Sequence, residues 1–256
     1  MKPFLLGTNW KMNKTESEAI AYTNSLIKMA QQYDHFRFFI FPPFVYIKEL
    51  SAMLATQENV LIGAQNMHWE DFGPYTGEIS PLMLAQYNID VIELGHSERR
   101  QYYNENDYHL NKKVLAAIKQ DFTPLLCIGE SLDDKQYDVT REVLNAQVKI
   151  GLHGVSPSAA KNIWIAYEPV WAIGEGGIPA TADYVARAHS FIREQLIELY
   201  GEEVGEAIRI LYGGSVNAHN CVELSKQKNV DGLFIGRSAW DIIKFQEIAQ
   251  LLSDPV

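Results

Sequence analysis

From one end to the other, the 256-residue chain alternates short apolar runs with longer amphipathic stretches. Eight runs have the length and composition of strands: Phe4 to Asn9, Phe36 to Phe41, Val60 to Gln65, Val91 to Gly95, Pro124 to Gly129, Ile163 to Glu168, Ile208 to Tyr212 and Gly232 to Gly236. Their starts lie roughly a helix and a turn apart. Between them, Val139, Val143, Ala146 and Ile150 recur at helical spacing and predict a buried stripe stopped by Gly151. Ile242, Phe245, Ile248 and Leu252 predict the last helix. Eight β-then-α units without a Pro- or Ser-rich linker predict one α/β domain over residues 1–256, its parallel sheet closed into a (β/α)8 barrel. A doubly wound open sheet is the competing arrangement, and the count of eight favours closure.

A closed barrel of this kind gathers the residues just past its strand ends on one face, where such folds place their active sites. The chain puts polar and small residues at those positions. Asn9 and Lys11 follow the first run, His96 the fourth, Glu168 closes the sixth, Gly213-Gly214-Ser215 follow the seventh, and Gly236-Arg237 end the eighth.

Composition narrows the partners. Lys plus Arg number 22 against 32 Asp plus Glu, a formal charge of −10, which disfavours nucleic acid and anionic membranes. A bound anion must therefore meet a local positive site. No stretch approaches the roughly 18 apolar residues of a membrane span, and the opening apolar segment is too short for a signal-peptide core. The two cysteines, Cys127 and Cys221, fit a reducing, cytoplasmic setting.

Glu168 ends a partly apolar strand, a setting that raises a carboxyl toward a working general base. An ion-paired surface glutamate is the plainer reading of such a residue, but the strand end and the glycine-rich loop beyond it argue against that here. His96 precedes Ser97-Glu98-Arg99-Arg100, which reads as a capped helix start. Placed there, its imidazole stays neutral and donates a hydrogen bond to a substrate oxygen. Lys11 stands directly past a strand, where its ammonium can hold a phosphate or an enediolate oxygen. Pro169-Val170-Trp171-Ala172-Ile173 leads into Gly174-Glu175-Gly176-Gly177, which reads as a lid rather than a plain surface turn. Glycines at 213, 214 and 236 let backbone N–H groups approach an anion. The other histidines show no ligand spacing, so no metal site is expected.

Taken together, Asn9-Trp10-Lys11-Met12-Asn13, Gly95-His96-Ser97-Glu98-Arg99-Arg100, Ala166 to Gly174 and Tyr212-Gly213-Gly214-Ser215-Val216 closely resemble the signatures of the triosephosphate isomerase family. Gly63-Ala64-Gln65-Asn66 and Leu126-Cys127-Ile128-Gly129-Glu130 join them, and the similarity runs nearly end to end. The resemblance implies a TIM barrel needing no cofactor. In it, Glu168 shuttles a proton between adjacent carbons through a cis-enediolate, neutral His96 polarises the carbonyl, and Asn9 and Lys11 stabilise negative charge. Glu98 supports them from behind. Gly174, Ser215 and Gly236 grip the phosphate as the lid closes. Those roles come with the resemblance.

Two departures bear on the substrate. The family's lid usually continues Gly-Thr-Gly-Lys, where this chain has Gly174-Glu175-Gly176-Gly177, and its eighth strand usually ends Gly-Gly, where this chain has Gly236-Arg237. Neither touches Glu168, His96 or Lys11. The first reading is therefore interconversion of dihydroxyacetone phosphate and D-glyceraldehyde 3-phosphate, a step of glycolysis and gluconeogenesis. The alternative is the family branch acting on four-carbon erythrulose phosphates in tetritol catabolism, which the altered lid and the Gly-Arg ending resemble. A barrel that has lost turnover and only binds phosphate is a third reading, opposed by the intact base, electrophile and lysine.

The segment Met67 to Glu78 is long for a loop of this kind and carries three aromatics, which predicts a surface that seeks cover. By the resemblance it inserts into a second copy and brings Thr76 near that copy's Asn9 and Lys11, so a homodimer is expected.

Overall fold

All eight apolar runs become strands within one residue of their expected bounds. In the computed structural model, which describes residues 2–174 and 176–253, they are β1 (Phe4–Asn9), β2 (Phe36–Phe41), β3 (Val60–Ala64), β4 (Val91–Leu94), β5 (Thr123–Ile128), β6 (Trp164–Tyr167), β7 (Arg209–Tyr212) and β8 (Gly232–Ile235). Each pairs in parallel with the next, and β1 closes the sheet by pairing Leu5–Thr8 with Gly232–Ile235. Helices cross over between the strands, so both faces of the sheet are covered, which is why the strands read as continuous apolar runs rather than alternating ones.

The core has two parts. Inside the barrel lie Leu5, Phe39, Phe41, Leu61, Val91, Leu125, Cys127, Ala166, Leu211 and Phe234. Phe39, Phe41 and Phe234 meet one another at ring separations of 5.6–5.7 Å. Gly7 and Gly63 leave these rings their room, because a Cβ on either would overlap Phe39 or Phe41. The larger cluster, containing Leu6, Phe38, Ile40, Ile92 and Leu94, fills the space between strands and helices. Alternation along each strand therefore sends one residue to the barrel axis and the next to the helices.

One expected stripe is displaced. The helix Thr140–Gly151 buries Thr140, Leu144, Val148 and Gly151, while Val143 and Ile150 are half-buried and Ala146 is exposed. Two apolar stripes run along this helix about 100° apart, and the one carrying Leu144 wins the core. Gly151 is not the stop expected of it. It lies within the helix, where Leu126 of β5 packs against its bare Cα. The last helix, Ile242–Ser253, buries Phe245 and Ile248 as expected, with Ala249 beside them. Among the described residues, no helix is long and apolar enough to cross a membrane.

Candidate active site

A cavity of about 290 Å³ opens at the carboxyl ends of the strands. Its walls include all eight residues expected there: Asn9, Lys11, His96 and Glu168 at one end, Gly174, Ser215, Gly236 and Arg237 at the other. Fold topology brings them together, since they lie at or just past the carboxyl ends of β1, β4, β6, β7 and β8.

Glu168 stands one residue past β6 and is 3% exposed. Its backbone is clamped to the neighbouring strand end, its N–H donating to the Ile128 carbonyl at 2.7 Å. The approach is so close that only glycine fits at 129, where a Cβ would overlap the Glu168 carbonyl. Gly213 is needed for the same reason on the other side: a Cβ there would stand 2.8 Å from Glu168 Cγ. Within this sleeve Oε2 has no hydrogen-bond partner among the described residues. Burial pushes the carboxyl up to about 7, against the pull of Lys11 and the Ser97 amide. A carboxylate that is half ionised near neutrality and only loosely held is a base ready to take a proton.

His96 is the N-cap of the helix Ser97–Tyr103, and its Nδ1 accepts the Glu98 backbone N–H at 3.1 Å. The expected cap is therefore the histidine itself. Because Nδ1 must be bare to accept, the proton of the neutral ring sits on Nε2, which faces Glu168 Oε1 at 3.8 Å. Burial, followed by the charges of Lys11 and Arg99, lowers the imidazole to about 3. It is neutral at any working pH and presents an N–H donor to the cavity.

Lys11 has φ 54°, a left-handed conformation unusual for lysine. Two bonds hold it there: its N–H donates to Asn9 Oδ1 at 2.6 Å, and Gln65 Nε2 donates to its carbonyl at 2.8 Å. Its Nζ meets Glu98 Oε1 at 2.7 Å, so Glu98 holds the ammonium from behind, as expected. Asn9 in turn donates from Nδ2 to Glu93 Oε2 at 2.7 Å, and its carbonyl accepts from the Trp240 indole at 2.8 Å.

These side chains present a buried base, a neutral N–H donor, a cation and an amide around one point, with a cradle of glycine backbone and one arginine a few ångströms beyond it. A family model for triosephosphate isomerase matches residues 4–252. The chain belongs to the triosephosphate isomerase family. It is 46% identical to the L-erythrulose-1-phosphate isomerase of Rhizobium etli, over 97% of this chain and 92% of that one. It is 45% identical to the triosephosphate isomerase of Acetivibrio thermocellus, over 94% and 95%. The crystal structure of triosephosphate isomerase from Bartonella henselae superposes with a TM-score of 0.85 at 35% identity, covering 99% of this chain and all of that one. The protein is thus an enzyme, an isomerase on a TIM barrel. Names on both sides of the substrate question occur among its relatives, and the four-carbon name gains on the triose reading that sequence alone put first.

The family's lid segment shows how it is anchored here. Past Pro169, the turn Val170–Ala172 buries Trp171, whose indole donates to Glu130 Oε1 at 2.8 Å. The same buried carboxylate accepts from the hydroxyls of Tyr167 and Tyr184, and Lys135 sits 3.5 Å over the Trp171 ring. Ala172, Ile173 and Gly174 reach the cavity, Gly174 and Gly176 take left-handed φ, and the Gly177 N–H donates back to Gly174 at 3.4 Å. Glu175 lies outside the described residues.

The long loop after β3 is partly self-packed, while Phe72 and Tyr75, two of its three aromatics, stay exposed. His68 stacks between Trp69 and Tyr75, each ring 4.2 Å away, so Trp69 is half-buried. Phe72 remains 81% exposed, and Thr76 lies beside it on the surface.

Three residues of this site escaped the sequence. Trp240 carried no signal in the sequence, and Glu130 was read only as part of a family motif. Glu93 had one signal, a carboxylate inside the apolar run Val91-Ile92-Glu93-Leu94.

Proposed function

We propose that this isomerase interconverts L-erythrulose 1-phosphate and erythrulose 4-phosphate by a proton shift between adjacent carbons. The observation that carries the reading is Arg237 on the cavity wall, at the strand end where the family usually has a second glycine. The name of the Rhizobium etli relative supports it. L-Erythrulose 1-phosphate is dihydroxyacetone phosphate with a hydroxymethyl group in place of one hydrogen on the carbon that loses its proton. One apparatus therefore serves either molecule.

Glu168 takes the proton from C3, whose electron pair forms the C2–C3 double bond as charge moves onto the C2 oxygen. His96 Nε2–H, Asn9 and the Lys11 ammonium meet that charge in a buried site, where fixed donors act strongly. A proton passes between the two oxygens, Glu168 returns its own to C2, and the carbonyl now stands at C3. Gly174, Ser215 and Gly236 hold the phosphate by backbone N–H groups, and Arg237 adds a charge-assisted bond. Closure of residues 169–177 excludes water from the enediolate.

The working form is a homodimer. Phe72 and Met12, 81% and 95% exposed, are the kind of apolar side chains a partner covers, and Tyr102 and Tyr103 add to them. Two buried free thiols suit a reducing, cytoplasmic setting.

The test is kcat/KM for erythrulose 1-phosphate, dihydroxyacetone phosphate and glyceraldehyde 3-phosphate, with and without a chelator. At least tenfold preference for the tetrulose, unaffected by the chelator, is expected. Preference for the three-carbon pair returns the enzyme to the triose reaction, turnover of none revives a binding role, and loss of activity to the chelator overturns the metal-free mechanism. Sedimentation showing a fully active monomer overturns the dimer.

A further inference from the structure

Glu93 is a wholly buried carboxyl that the reaction as described does not use. Alternation along β4 sends Val91 to the barrel axis and Ile92 and Leu94 to the helices, so Glu93 points to the axis as well. It stands one layer above Val91, directly beneath the reacting end of the cavity, and does not itself line the cavity. Its Oε2 accepts from Asn9 Nδ2 at 2.7 Å, and its Oε1 lies 4.0 Å from the Cys127 sulfur. One of its oxygens, a nitrogen of His96 and an oxygen of Glu168 all lie within 4.8 Å of one another.

Two facts of geometry follow. Asn9 has its oxygen committed to the Lys11 N–H and one amide hydrogen committed to Glu93, and a flipped amide would leave the Lys11 N–H facing an NH2 group with no acceptor. The second amide hydrogen is then left for the cavity that Asn9 lines. The charged and titratable groups facing Glu93 are Glu168, His96 and Cys127, with Lys11 and Glu98 farther out. The one nearby cation, Lys11 Nζ, already meets Glu98 at 2.7 Å. An ionised Glu93 would thus be a buried charge with no cation of its own, set beside a second carboxylate, an arrangement that burial strongly disfavours.

We propose that Glu93 is a positioning residue, a neutral carboxylic acid that locks the Asn9 amide as a donor toward the reacting oxygens and leaves to Glu168 the ionised carboxylate that faces the substrate. Burial, then the charge of Glu168, holds the Glu93 proton well above the usual carboxylate range, in keeping with this role. With Glu93 neutral, the negative charge sits on the residue that faces the substrate. Had the proton gone to Glu168 instead, the base would be spent. The inference rests on the reading of Glu168 as the base.

The experiment compares wild type with E93Q, E93V and E168Q. Gln keeps an oxygen that accepts from Asn9 and cannot ionise, whereas Val leaves the Asn9 donor without a partner. E93V is expected to lose at least tenfold in kcat, with KM changed less, and E93Q to recover most of that loss. The infrared difference between wild type and E93Q at pH 8 should show a protonated-carboxyl C=O band belonging to wild type. E93V within threefold of wild type overturns the positioning role, and so does E93Q as impaired as E93V. Absence of the band overturns the neutral acid. E168Q separates the two readings: if it keeps wild-type turnover, the base assignment fails whatever Glu93 does, and if it is inactive, the Glu93 results stand alone.

Discussion

The two ends of the cavity are built differently. At the proton-transfer end, five residues at the ends of β1 and β4 are wired by four short bonds: Glu93 to Asn9, Asn9 to Lys11, Lys11 to Glu98, and Glu98 N–H to His96. At the end proposed to take the phosphate, the wall includes Gly174, Ser215 and Gly236, and among the described residues Arg237 is the charged one that lines it there. A side-chain network fixes where protons go and fails sharply when one member moves. A backbone cradle binds whatever anion fits, so substrates diverge there while the chemistry stays constant. The departure from the family pattern at 237 falls at that second end.

The largest expected effect tests the wired end. Glu168→Asp withdraws the carboxylate by one methylene from the carbon acid, and an error of that size in a near-attack geometry costs on the order of 10²–10³-fold in kcat. Binding of inorganic phosphate should hold, since the far end is untouched. Steady-state kinetics with a parallel phosphate titration checks both, and a loss of phosphate affinity equal to the loss of kcat would show that the two ends are not separable.

The burial that makes Glu168 a base also strains the fold. Its carboxyl ordinarily titrates at 4.5 and is raised to about 7 in the folded chain. Between those values the native state holds a proton that the unfolded state has released, so stability falls as pH rises through the window. Below pH 4.5 both states are protonated and the penalty vanishes. Above pH 7 it is complete, at about 3 kcal/mol for a shift of this size. Glu168→Gln, inactive as a base, should therefore raise the unfolding midpoint clearly at pH 8 and little at pH 4.5. Equal gains at the two pH values would show that ionisation is not what the gain removes.

Gly213 belongs to β7's end but serves the base. Gly213→Ala puts a methyl 2.8 Å from Glu168 Cγ, and the side chain must shift. A loss of roughly tenfold in kcat is expected, as a small displacement of a positioned group gives. A variant that loses only KM would reassign Gly213 to the phosphate.

Much of this was legible beforehand, for a physical reason. Each strand of a covered parallel sheet is a short apolar run, and each site residue follows such a run immediately, so strand ends mark the site. What the runs do not carry is which face of a strand looks to the axis, because both faces are apolar. That is why Glu93 was passed over: its partner Asn9 is 84 residues away, and nothing local says that its carboxyl points inward. The stripe on the helix Thr140–Gly151 was misplaced by one residue for a like reason, two apolar stripes being available. In the aromatic loop, the packing of Trp69 and Tyr75 on His68 was not legible, because nothing local marks a histidine as the plate on which two rings pack.

The smallest effects belong to the phosphate end, and they sharpen the contrast. Arg237→Gly removes a cation from the cavity wall, so KM should rise about tenfold, the scale of one charge-assisted bond, with kcat nearly unchanged. A change confined to kcat would place Arg237 with the proton-transfer residues instead. Gly236→Ala is the finer probe. Nothing lies within 4 Å of where its Cβ would stand, so the added methyl meets no neighbour within the protein. It does occupy space that a phosphate approaching the backbone needs. KM should therefore rise a few-fold, roughly 1 kcal/mol or less, while kcat holds. Gly213→Ala and Gly236→Ala add the same methyl at opposite ends of one cavity. If they change kcat and KM in the same proportion, the cavity is a single unit and the division into a wired end and a cradle is wrong.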